Sequence, residues 1–393
     1  MNDIHEIHRG RYGSLQGLCL TIVVGFALFF VLSSLPDLKM LPDYKEIVGG
    51  IDLLPNQLAW FLMNFTEGEF YAGIITTLGL FLGAVIAWQL AIHGKKNAGI
   101  EICYGSARIW PWVFASQILS LFFTEYLFGY IHLFGLGNAW IPTFIVIVGV
   151  PPSMVLMYGP GWKTLFTASI LGAVMCTPVA YGLAKMSAFI TIPGATYNVL
   201  AMAITGIIAG VTCSCLPWME KKPCLPTNNP NQYKDDYYGI TWNLRRVLAD
   251  LTEPQFYGND VAGFTLIVAV IIEWTLCRGL LGGGAKALPA IILSQFISGG
   301  VGVFLYTKKY QENGWYATYV PVVCSAPAAV LMFGPKMSVI LIGSILGGII
   351  GAPIAEWFGH FKPDYVHGTV NNVFAMALST VITQAVLYCI PWI

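Results

Sequence analysis

Residues 152–160 read PSMVLMYGP, and residues 327–335 read PAAVLMFGP. The same frame occurs twice, opened by Pro152 or Pro327 and closed by Gly159-Pro160 or Gly334-Pro335. Working outward, Ile170-Leu171-Gly172 with Pro178 parallels Ile345-Leu346-Gly347 with Pro353. Asn198-Val199 and Met202 parallel Asn372-Val373 and Met376, and Cys215-Leu216-Pro217-Trp218 parallels Cys389-Ile390-Pro391-Trp392. In the other direction, Asn138-Ala139-Trp140 parallels Asn313-Gly314-Trp315, and Ser116-Gln117 parallels Ser294-Gln295. Thr66-Glu67-Gly68-Glu69-Phe70-Tyr71 parallels Thr252-Glu253-Pro254-Gln255-Phe256-Tyr257. The offset drifts only from 186 to 174, with the changes in loops. Chance likeness between apolar helices yields scattered Leu and Val matches, not ordered Pro, Trp, Asn and Gly matches. The chain therefore reads as a duplication: an N-terminal region (1–42), a first repeat (43–219), a linker (220–231) and a second repeat (232–393).

The 393 residues are 56% hydrophobic and 10% charged, with mean hydropathy +0.68 and zero net charge. A soluble protein carries roughly 25% charge. Nothing forms the basic face that a nucleic-acid partner would need. Nine cysteines are scattered, mostly inside apolar runs. Cys213, Cys215 and Cys224 cluster without the histidines or spacing of a metal site. No HExxH, GxxxxGK[ST] or GxSxG signature occurs, so no metal, no cofactor and no enzymatic role is expected. Asn64-Phe65-Thr66 matches the glycosylation sequon.

Eleven apolar segments approach the ~20 residues a helix needs to cross hydrocarbon. They cover about 16–36, 73–93, 109–133, 140–158, 163–185 and 195–217, then 262–280, 286–306, 316–333, 337–359 and 370–391. The first reads as a retained transmembrane helix rather than a signal peptide. The expected fold is an all-α polytopic membrane protein of about 11 transmembrane helices, 1 + 5 + 5. An odd number of spans per copy reverses the second copy, giving an inverted-topology repeat. That parity depends on 140–158 and 316–333; if they do not cross, the halves become parallel. Segments 54–66 and 241–250 read as amphipathic interfacial helices. Lys and Arg counts place the N-terminus, 94–108 and 219–261 on the cytoplasmic side, although Arg278 and Lys286 run against the rule. A multi-pass protein of the plasma (inner) membrane follows.

Polar residues inside such spans are costly unless paired or facing a cavity. Gln117, Gln295, Ser116, Ser294, Asn198 and Asn372 are therefore candidates for solute binding. So are Pro152 and Pro327, which would break helices and free carbonyls, and the neighbouring Met157 and Met332. Three carboxylates break the match between halves: Glu273 stands opposite Ala87, Glu125 opposite Val303 and Glu356 opposite Tyr181. They are candidates for coupling to H⁺ or Na⁺. The function expected is a secondary active transporter or symporter, moving a small neutral, zwitterionic or weakly acidic solute by alternating access through discontinuous helices. The lipid bilayer, the solute and the coupling ion are the partners, and a homo-oligomer is compatible. The rival readings are a passive channel, and an integral subunit of a larger complex.

Overall fold

The computed structural model describes residues 11–102, 108–186, 194–221, 237–282 and 287–393. Cys224, Lys222, Lys234, Lys286 and most of the linker lie outside the described residues. Among the described residues every regular element is helical. The first half holds α1 (Leu15–Ser34), α2 (Tyr44–Gly49), α3 (Leu54–Met63), α4 (Ile74–Ile92), α5 (Trp110–Phe122), α6 (Val150–Tyr158), α7 (Trp162–Met186) and α8 (Gly194–Cys215). The second holds α9 (Trp242–Asp250), α10 (Asp260–Leu276), α11 (Leu288–Leu305), α12 (Thr307–Asn313), α13 (Ala326–Phe333), α14 (Met337–Gly359) and α15 (Thr369–Tyr388).

Among the described residues seven helices are long and apolar enough to cross a membrane: α1, α4, α7, α8, α11, α14 and α15. An eighth span results if α5, its π-helical end Phe123–Leu127 and the 3₁₀ helix Tyr130–Leu136 count as one, bent by 45°. The chain is thus an integral membrane protein with several spans, fewer in continuous helix than the eleven expected. The difference has local causes. α10 stops at 17 residues, where Cys277 turns extended. Segment 140–158 is a 3₁₀ turn, Thr143–Val146, then a break at Gly149, then α6. Segment 316–333 is a π-turn, Pro321–Ser325, running into the short α13. Hydropathy sums composition and is blind to such breaks.

The local chemistry of the ends is ordinary. Ser14 caps α1 by accepting from the Gly17 amide at 3.1 Å. Asp43 and Glu46 form a reciprocal capping box on α2. Pro152 sits in the first turn of α6, where a missing N–H costs little. Pro327 follows directly on the π-turn Pro321–Ser325, inside one unbroken helical run over 319–333. Gly159 and Gly334, at φ +81° and +87°, end α6 and α13.

α4 and α10 pack antiparallel at close range. A Cβ on Gly79 would stand 2.3 Å from the Ala269 Cβ, and one on Gly83 would strike Thr265 and Ala262, so only glycine permits this approach. α8 and α15 also run antiparallel, with Gly206 against Val370 and Gly210 against the Tyr365 carbonyl. α1 lies on α11, Gly25 against Phe296. One large apolar cluster joins residues of both halves at the centre.

Candidate functional site

The site is built on two loops of the same design. Thr66 leads the loop into α4, and Thr252 leads the loop into α10. The Thr66 carbonyl accepts from the Tyr71 and Ala72 amides, each at 3.0 Å; the Thr252 carbonyl accepts from Tyr257 at 3.0 Å and Gly258 at 3.2 Å. Each threonine hydroxyl accepts from the residue that closes its loop, Gly73 at 3.0 Å or Asn259 at 2.9 Å. Phe70 and Phe256 adopt φ +69° and +66°, a left-handed backbone that bulky side chains rarely take. Such strain persists only where the surroundings hold it, and it concentrates at working sites.

The surroundings here are two glutamines, each reaching into the other half. Gln117 on α5 donates to the Gln255 carbonyl at 2.9 Å and accepts from the Tyr257 hydroxyl at 3.2 Å. Its amide also donates to the Ile147 carbonyl, at the break before α6, at 2.9 Å. Gln295 on α11 donates to the Glu69 carbonyl at 3.2 Å and accepts from the Tyr71 hydroxyl at 2.7 Å. Gln255 in turn donates to the Phe65 carbonyl at 2.7 Å. The two loops therefore lock against each other, Gly68 meeting Pro254.

Beside this lock lies a chamber of ≈310 Å³. Its walls come in matched positions from the two halves: Glu67 with Glu253, Phe70 with Phe256, and Phe144 with Tyr319. Val148 with Val323, Val199 with Val373 and Met202 with Met376 complete the match. Trp140 and Glu67 stand near each other on the chamber wall. The Trp315 indole donates to Glu253 Oε1 at 3.0 Å. The two glutamates differ in their further partners. Glu253 is ion-paired with Arg246, which also binds Asp250 at 2.7 Å, and Thr318 donates to Asp250 at 2.9 Å. The position matching Arg246 is Trp60, so Glu67 has no such cation.

A second pocket, of ≈420 Å³, is lined by Trp315, Gly368, Thr369 and Asn372. The matching residues Trp140, Gly194, Ala195 and Asn198 line the main chamber. Matching residues of the two halves thus line the two pockets, which adjoin at Thr369, and Trp315 of the second pocket is bonded to Glu253 of the chamber. His367 lines the second pocket; burial, helped by Lys362, pulls its imidazole down to about 4.

The residues nominated from sequence scatter around this centre. Asn198 lines the chamber and Asn372 the second pocket. Gln117 and Gln295 are fully buried and occupied with the loops. Ser116 and Ser294 bond back to their own helices, to the Val113 and Ile291 carbonyls at 2.7 Å. Pro152 and Pro327 are buried in packing, while Met332 is exposed and Met157 partly so. Glu273 caps α4: its carboxylate accepts from the amides of Ile74 (2.7 Å), Ile75 (3.2 Å) and Thr76 (2.8 Å) and from the Thr76 hydroxyl (2.5 Å). Glu125 accepts from Asn64 at 3.1 Å, and Asn64 accepts from Thr143 at 2.7 Å. Asn64 is thereby buried, out of reach of a glycan. Glu356 is bound by Lys309 at 2.6 Å and Tyr316 at 2.7 Å.

Sequence reasoning passed over Glu67, Glu253, Trp140 and Trp315 as site residues. The signal was present, since both the Thr-Glu and the Asn-x-Trp matches survive between the halves. Glu69 was passed over too: it is fully buried, and neither carboxylate oxygen has a full hydrogen-bond partner. Its neighbour is the side chain of Gln255, the residue at the matching position. No group of three metal-binding side chains occurs among the described residues. No protein-family model matches this chain. No curated protein matches it either.

Proposed function

We propose that this chain is a secondary active transporter that moves a small neutral or zwitterionic solute by alternating access, coupled to H⁺ or Na⁺. One observation carries the reading: matched positions of the two halves wall a single chamber, and residues matching one side of it line a second pocket across the Trp315–Glu253 hydrogen bond. An inverted pair of halves would produce this arrangement if one pocket is open and the other shut in a given state. Exchange of the two loop conformations, at Trp140–Glu67 and Trp315–Glu253, would pass the chamber from one side to the other.

The inverted topology draws support from three relationships. Helices that match in sequence, α4 with α10 and α8 with α15, run antiparallel. The Gln117 and Gln295 clamps are reciprocal. The loops 66–73 and 252–259 share one hydrogen-bond pattern. In this reading α10, the bent α5 and the broken segments before α6 and α13 complete five crossings per copy. The N-terminus lies on the cytoplasmic side of a plasma (inner) membrane.

The weakly acidic solutes that the sequence also admits fit less well beside Glu67 and Glu253. The coupling site fits Glu69 best. Glu273 and Glu356 already hold full sets of donors. The Glu69 oxygens and Gln255 Oε1 are buried without donors. An ionised carboxylate in that position costs several kcal/mol, which a bound proton or cation removes.

The deciding experiment is solute counterflow in proteoliposomes holding the full chain. Saturable exchange that a proton or sodium gradient concentrates is the expected result. Flux that neither saturates nor responds to either gradient would make the chain a channel instead.

A further inference from the structure

The walls of the chamber have a chemical bias. Among the described residues no Lys, Arg or His lines it. Two of its lining residues carry an acceptor without a donor, Glu253 Oε2 and Asn198 Oδ1, both set into the wall and away from its accessible surface. Buried acceptors of this kind await donors. The Glu67 carboxylate, near Trp140, has no cation beside it among the described residues. Arg246 pairs with both Glu253 and Asp250, so Glu67 is the chamber carboxylate without a cation among the described residues.

The remaining surface is aromatic. Phe70, Phe256, Phe144, Tyr197 and Tyr319 present rings around the space. Ring faces attract cations by roughly 0.5–2 kcal/mol each where water is excluded. A metal ion would want several ligands in one place, and no group of three His, Cys, Asp or Glu side chains occurs among the described residues. An anion would meet two carboxylates. The volume is at the small end of ligand pockets, roughly 300–1,000 Å³.

Resting on the transporter reading above, we infer that the chamber recognises a primary ammonium group, free or as the cationic end of a zwitterion. Its N–H donors meet the Glu67 carboxylate, and its charge balances Glu67 among the aromatic residues of the wall.

The test uses three short-chain molecules that differ in their head group: n-butylammonium, 1-pentanol and pentanoate. Each is titrated calorimetrically into the full-length protein in detergent. Butylammonium is expected to bind roughly tenfold more tightly than 1-pentanol, and pentanoate not at all. Glu67→Gln is expected to erase the preference. Equal or tighter binding of 1-pentanol, or an unchanged preference in Glu67→Gln, overturns the inference. If Glu67→Gln does not elute as a folded protein, Tyr197→Leu replaces it. That variant should weaken butylammonium several-fold and leave 1-pentanol alone; equal losses for both overturn the inference. Failure of the transporter reading looks different. Butylammonium binding without gradient-driven uptake removes the transporter and keeps the ammonium site. Saturable uptake of a solute lacking an ammonium, uninhibited by butylammonium, does the reverse.

Discussion

The Trp315 indole nitrogen lies 3.0 Å from Glu253 Oε1, and this hydrogen bond stands between the chamber and the second pocket. The matching residues, Trp140 and Glu67, both line the chamber. A gate made of one neutral hydrogen bond to a carboxylate is worth ~1.5–3 kcal/mol, small enough to exchange. Trp315→Phe removes the donor and keeps the ring. Cys324, a buried wall residue whose thiol lies 3.1 Å from the Thr380 hydroxyl, reports the effect. Alkylation of Cys324 by N-ethylmaleimide, followed by peptide mass spectrometry, should quicken several-fold in Trp315→Phe. An unchanged rate would mean that Trp315 is no gate.

The loop lock should be visible in stability. Gln117→Leu leaves the Tyr257 hydroxyl and two backbone carbonyls without the amide, and Gln295→Leu leaves the Tyr71 hydroxyl and one carbonyl. Each buried polar group left unsatisfied costs about 1–3 kcal/mol. Both variants should unfold at lower temperature, and Gln117→Leu should lose more. If either melts like the parent, that glutamine does not hold the loops.

Much of this was legible in the residues alone, and the remainder was hidden for identifiable reasons. The Thr-Glu-x-x-Phe-Tyr match could be read directly, and every residue it names has its own part in the site. Thr66 closes the loop, Glu67 faces the chamber, Phe70 carries the strained turn and Tyr71 meets Gln295. Gln117 and Gln295 could be recognised as buried amides that need partners. Their partners are loop carbonyls from the opposite half, which spacing along one chain cannot reveal. Glu273 was conspicuous for standing where the first half has Ala87. What occupies it is the exposed end of α4, a helix from 197 to 199 residues earlier. Glu67 and Glu253 went unnominated because their loops, following amphipathic segments, read as surface. The broken segments before α6 and α13 looked like spans because apolar content does not record where a helix changes pitch.

Glu273 at the start of α4 complements the positive end of the helix dipole and satisfies three amides that no helical carbonyl can reach. Glu273→Gln keeps an acceptor but loses the charge, and should cost about 1 kcal/mol of stability. Glu273→Ala should cost about twice that. Proton and sodium dependence of uptake should survive in Glu273→Gln. Loss of either dependence, with stability retained, would return the residue to the coupling mechanism.

His367 makes a pH signature outside the spanning helices. Its imidazole titrates at about 4 in the folded chain, against about 6.5 when unfolded. The lowered value means that the unfolded state takes up the proton first. Stability is therefore full above pH 6.5 and falls as pH drops toward 4, by on the order of 1–3 kcal/mol. His367→Asn, which cannot titrate, should flatten that part of the profile. A difference curve between the two proteins isolates this group from the carboxylates. No difference between pH 6.5 and 4 would show that His367 gains its proton as readily folded as unfolded.

Glu69 and Gln255 occupy matching positions and meet at the point where the two loops cross. Three of their oxygens lack donors. A proton on Glu69 supplies one donor and cancels the charge at once. Glu69→Gln imitates that protonated state in shape and charge. Its stability should match or exceed the parent's, because no charge is left to desolvate. Glu69→Asp shortens the reach to Gln255 and keeps the charge, so it should be the less stable of the two. In proteoliposomes, Glu69→Gln should still exchange solute across the membrane, yet fail to concentrate it on a proton gradient. Exchange and accumulation then separate in one variant, which a purely structural glutamate would not allow. Accumulation equal to the parent's would remove Glu69 from the coupling step and leave Glu125, whose Oε2 is also without a donor, as the next acid to test.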